Sequence, residues 1–79
     1  MIDVKEAAKT ASEYLTGLYS LASWDDVRLE EVELTEDEKY WLITLSYSDK
    51  KLIPRREYKV FKIDAETGKV QAMKIRTVS

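Results

Sequence analysis

Seventy-nine residues with a net charge of −2, no Cys and no His leave room for one domain with a modest core, because a chain of this size buries only about 60% of the surface its unfolded form exposes. The missing Cys excludes disulfides and thiolate chemistry, and the missing His removes the commonest general base, the Ser-His-Asp arrangement and the usual transition-metal ligand. An enzyme would have to work with carboxylates, Lys or Tyr, and none of these recurs at a diagnostic spacing, so a non-catalytic protein without a cofactor is expected.

Asp3 and Glu6 have the spacing of a capping box, with a carboxylate where the first helical N–H groups need acceptors, so a helix is expected to begin there. Val4, Ala8, Ala11, Leu15, Leu18 and Ala22 recur at spacings of four and three and make one apolar stripe. Ala7, Ala8 and Ala11 let the helix axis approach the surface it covers, and Gly17 reads as a second point of close approach. Tyr14 and Tyr19 flank the stripe. Ser20 to Asp26 loses the helical period and is expected as a connector, with Trp24 folded over an edge of the core.

From Val27 the period changes to two. Val27 and Leu29 alternate with Arg28 and Glu30, whereas Val32 and Leu34 have the opposite parity, which predicts a bulge at Glu30-Glu31 where an edge strand switches face. Thr35 to Glu38 is a polar turn. Lys39 to Tyr47 is the strongest strand, with Trp41, Ile43, Leu45 and Tyr47 on the face expected to meet the helix and Tyr40, Leu42, Thr44 and Ser46 on the other. Ser48 to Arg55 is a loop, in which Pro54 pushes Ile53 away from the helical region. Two large aliphatics at a loop tip, Leu52 and Ile53, either tuck under the sheet or contact a partner. Arg56 to Ala65 and Lys69 to Val78 are strands joined by a tight hairpin. Each carries apolar residues on both parities, which predicts one face under the helix and another partly open to a partner. The expected fold is α+β, a single domain over residues 1–79 with one N-terminal helix on a four-stranded antiparallel meander.

Charge is unevenly placed along this order. Residues 1–49 hold twelve acidic and four basic side chains, a balance of −8, and residues 50–79 hold three and nine, a balance of +6. The halves either screen each other within the sheet or leave an acidic and a basic end that steer an anionic partner or a head-to-tail contact. The acidic run from Glu30 to Glu38 lacks the Gly and the ligand spacing of a calcium loop. Gly68-Lys69 is followed by Val70 and lacks the rest of a phosphate loop, so Asp64 and Gly68 read as turn residues. Lys50, Lys51, Arg55, Arg56, Lys59, Lys62, Lys74 and Arg76, with Tyr58 and Phe61 among them, form a basic surface. It could neutralise phosphates, but the Gly- and aromatic-rich signature of an RNA-binding sheet is missing, so these cations read foremost as guards of exposed strands.

The run Tyr58-Lys59-Val60-Phe61-Lys62-Ile63-Asp64-Ala65-Glu66-Thr67-Gly68-Lys69-Val70 resembles the C-terminal hairpin of PepSY-type domains. In that family a strand ending in a hydrophobic-Asp-Ala sequence turns through Thr-Gly into the last strand. The resemblance implies a non-catalytic module that binds or restrains other proteins, peptidases in particular, usually outside the cytoplasm. No catalytic residue is carried over from it. The N-terminus has no signal-peptide pattern and no stretch approaches a membrane span. The sequence as it stands therefore points to the cytoplasm, and an export signal removed from a longer precursor would reverse that. The expected function is protein binding through the sheet surface and the 49–56 loop, with Leu52, Ile53, Arg55, Arg56 and Tyr58 as contact residues. The alternatives are a homodimer formed through Tyr40 and Leu42, and an anionic or nucleic-acid partner on the basic strands.

Overall fold

Antiparallel pairing of each strand with the next organises the protein, whose computed structural model describes residues 1–18, 24–49 and 55–76. Helix α1 (Val4–Leu18) is followed by β1 (Trp24–Leu34), β2 (Tyr40–Asp49), β3 (Arg55–Asp64) and β4 (Val70–Ile75). The sheet order is β1-β2-β3-β4, an up-and-down meander with β1 and β4 at its edges. This is the α+β architecture expected from the sequence.

The helix begins as its cap dictates. An Asp3 carboxylate oxygen accepts the Glu6 N–H at 2.8 Å and the Asp3 carbonyl accepts the Ala7 N–H at 3.0 Å. Its buried stripe is Ala7, Ala11 and Leu15, at steps of four, with Val4 and Ala8 half-buried at its margin. The stripe is therefore centred on Ala7 and not on Ala8. The Tyr14 ring flanks it and meets Phe61 edge-on, with centroids 6.1 Å apart. Tyr19, Ala22 and the Leu18 side chain lie outside the described residues. Gly17 is exposed, and a Cβ there would meet nothing within 4 Å, so close approach is not its role.

Under the helix lie Ile43, Leu45 and Tyr47 of β2 and Phe61 and Ile63 of β3, with Ile2, Trp41, Val70 and Met73 packed around them. The apolar parity of β2 thus meets the helix as its alternation predicts. Strands about 4.8 Å apart make a four-stranded sheet wider than one helix about 10 Å across. The margins stay uncovered in consequence: Leu29 and Val32 on β1 are 52% and 43% exposed, and Ile75 on β4 is 71% exposed.

β1 departs from expectation in two ways. Strand pairing starts at Trp24, within the stretch expected as a connector, because Trp24 and Asp25 pair with Asp49 and Ser48. The strand also keeps its face. Leu29, Val32 and Leu34 pair with Leu45, Ile43 and Trp41, and the extra residue between Leu29 and Glu31 is absorbed as a bulge. The bulge cancels the change of parity, so apolar residues of both parities reach the helix side. A second irregularity lies between Asp25 and Arg28.

The β3–β4 turn follows its residue chemistry. An Asp64 carboxylate oxygen accepts the N–H groups of Glu66 and Thr67 at 2.8 and 2.9 Å, and Gly68 adopts φ 77°, the left-handed conformation for which Gly carries no steric cost. β4 runs from Val70 to Ile75, and residues 77 and 78 of the longer strand expected from Lys69 to Val78 lie outside the described residues. Among the described residues no helix is long and apolar enough to cross a membrane.

Candidate functional site

The sheet face opposite the helix carries the even-numbered residues of β2 and β3. Register places Arg28, Ser46 and Tyr58 in one row and Glu31, Thr44, Val60 and Lys74 in the next. Thr44 and Ser46 are almost wholly buried, 4% and 0% exposed, although no helix of the described residues lies on this side. Longer neighbours cover them. Ser46 Oγ donates to a Glu30 carboxylate oxygen at 2.6 Å and accepts from Arg56 through Nε at 3.2 Å and Nη2 at 2.9 Å. A hydroxyl thus joins a carboxylate of the acidic half to a guanidinium of the basic half.

The second link spans the whole sheet. Arg76 follows β4, yet its Nη1 donates to a Glu31 carboxylate oxygen on β1 at 2.7 Å and lies 3.4 Å from Thr44 Oγ1 on β2. Sheet twist brings opposite edges nearer to each other on one face, and the bulges of β1 add twist of that kind. By hydrogen bond and then by charge, the Arg76 guanidinium holds the Glu31 carboxyl below the ordinary carboxylate value, and the Glu31 carboxylate in the same way holds Arg76 above its own. Beside this pair runs a shallow groove of about 260 Å³ lined by Glu31, Glu33, Leu42, Thr44, Val60 and Arg76. Tyr40, with the Lys62 ammonium 4.2 Å from its ring centre, stands on the same face.

Of the contact residues expected from sequence, Arg56 and Tyr58 stand on this face. Arg55 opens β3 and is described in its backbone alone, and Leu52 and Ile53 lie outside the described residues. The basic residues do not form one surface. Arg56, Lys62, Lys74 and Arg76 share the open face, whereas Lys59 pairs with Leu45 and Ile75 on the helix side. Sequence pattern alone does not mark Glu31, Glu33 and Val60 as site residues, since Glu31 meets Arg76 across 45 positions, a separation that no local period signals.

Among the described residues no group of His, Cys, Asp or Glu is arranged to hold a metal ion, and every buried side-chain nitrogen or oxygen has a hydrogen-bond partner. The face offers a mixed surface of carboxylates, guanidinium and apolar floor. No family model matches the chain, and neither a curated protein nor a solved structure is significantly similar to it.

Proposed function

We propose that this protein is a non-catalytic binding module whose recognition surface is the open face of the sheet, with the chain between β2 (to Asp49) and β3 (from Arg55) as a second contact. The observation that supports this most is the groove beside Glu31 and Arg76, with Leu42 and Val60 exposing apolar surface between groups of both charges. Apolar contact area ringed by polar groups is the usual make-up of a protein-recognition patch. The hairpin at Asp64 to Lys69 and the helix-first order support a PepSY-like reading, in which the partner is another protein and a peptidase is the first class to try. Dispersal of the basic side chains over two faces, with Arg56 and Arg76 already hydrogen-bonded, gives less support to an anionic partner.

The test is affinity capture from the source cell with four immobilised forms: wild type, Leu42→Asp, Leu52→Asp with Ile53→Asp, and Lys9→Glu on the outer face of the helix as control. Circular dichroism checks that each is folded. The proposal expects a specific partner to be retained by wild type and control and lost by Leu42→Asp, with the loop variant reduced. Equal retention by all four forms would remove the open face from consideration.

A further inference from the structure

We infer that copies of this chain associate head to tail, the β1 edge of one against the β4 edge of the next, in a continuous antiparallel sheet. The inference stands apart from the open-face reading, because it uses the sheet's edges.

Three observations carry it. The first is topology. In a four-stranded antiparallel meander β4 runs opposite to β1, so a second copy set beside the first presents a strand of the right direction with its helix on the same side. The second is the length of regular edge. β1 pairs with β2 without interruption from Glu31 to Leu34, and β4 pairs with β3 from Ala72 to Ile75. The Arg76 N–H continues that ladder to the Tyr58 carbonyl at 3.0 Å.

The third is side-chain complementarity. Setting Glu31 to Leu34 antiparallel to Met73 to Arg76 of a neighbour opposes Glu31 with Arg76, Val32 with Ile75, Glu33 with Lys74, and Leu34 with Met73. Both apolar pairs fall on the helix side and both ion pairs on the open side, as the existing registers fix those faces. Val32 and Ile75 are among the side chains that one helix leaves exposed at the margins, and the Glu31–Arg76 pair made within one copy is exchanged for the same pair between copies. Self-pairing of like edges does not have this match. Two β1 strands would bring Glu31 and Glu33 against their counterparts, and two β4 strands would bring Lys74 and Arg76 together, and like charges opposed across strands repel. A contact between unlike edges leaves a free edge at each end, so association grows with concentration.

Sedimentation velocity over a concentration series at low salt tests this with wild type, Glu33→Lys, Lys74→Glu and the double variant, all altered at exposed positions. The expected result is a wild-type mass that rises with concentration, monomers for each single reversal, and recovered association when both reversals are in one chain. Wild type that stays monomeric at every concentration overturns the inference. So does a Lys74→Glu chain that associates as wild type does, or a double variant that stays monomeric.

Discussion

The indole N–H of Trp41 donates to the backbone carbonyl of Ile2 at 3.1 Å, tying β2 to the segment that leads into the helix. The Ile2 N–H in turn donates to the Ala65 carbonyl at 2.7 Å, and the Ala65 N–H to the Lys39 carbonyl at 2.8 Å. Helix entry, β1–β2 turn and β3–β4 turn therefore meet at one corner. Trp41→Phe keeps an aromatic ring over the core and removes the donor. It is expected to cost about 1 kcal/mol, read as a lower urea midpoint with an unchanged slope. A midpoint equal to that of wild type would show that the Trp41–Ile2 bond contributes nothing net.

The two glycines are expected to respond in opposite directions. Gly17 lies in the helix with open space where a Cβ would go, so Gly17→Ala should stabilise by about 1 kcal/mol through helix propensity. Gly68 has φ 77°, and its nearest neighbour to an added Cβ is Ile2 at 3.8 Å, an ordinary contact. The cost of Gly68→Ala is then conformational, about 1–2 kcal/mol. Thermal melts of both variants beside wild type check the signs, and a stabilised Gly68→Ala would contradict the turn geometry.

The features legible in the sequence are those that a few neighbouring residues decide. Asp3 caps the helix it precedes, the alternation from Trp41 to Tyr47 separates the faces of β2, and Asp64 with Gly68 specifies the last turn. What escaped depends on the assembled sheet. The change of parity before Val32 and Leu34 locates the bulge at Glu30-Glu31 from sequence alone, but that the strand keeps its face through it is settled by pairing with Ile43 and Trp41. Ala7 and Ala8 differ only by the rotation at which the helix docks. The groove needs Glu31 from one edge strand and Arg76 from just past the other, a meeting that pairing of the whole sheet creates and no local pattern signals.

Ala7 and Ala11 are fully buried between helix and sheet, where a larger side chain has no place without lifting the helix. Ala7→Leu is expected to cost about 1–3 kcal/mol by overpacking, a large share of the roughly 5 kcal/mol available to a domain of this size. Ala8→Leu, at the half-buried margin, should cost clearly less. Urea titrations of the two variants decide the docking rotation. Equal losses, or a greater loss at Ala8, would contradict a stripe centred on Ala7.

Acid should destabilise this protein through a small set of identifiable carboxylates. Backbone N–H groups of Thr67 and Glu66 hold Asp64 below its ordinary value of 3.8. The Thr35 hydroxyl and the Lys39 N–H do the same for Asp37, and Arg76 holds Glu31 below 4.5. A carboxyl whose folded value is depressed binds protons more readily in the unfolded chain. Its contribution is therefore complete above the unfolded value and is lost as pH falls through the folded one. With no His in the chain, no imidazole titrates between about pH 5 and 8. The urea midpoint is expected to be level across that range and to fall below about pH 4.5. Asp64→Asn keeps an oxygen for the turn but cannot ionise. It should be less stable than wild type at neutral pH and converge on it in acid, giving a shallower slope. Parallel curves for Asp64→Asn and wild type would show that the Asp64 charge does not contribute to the acid sensitivity.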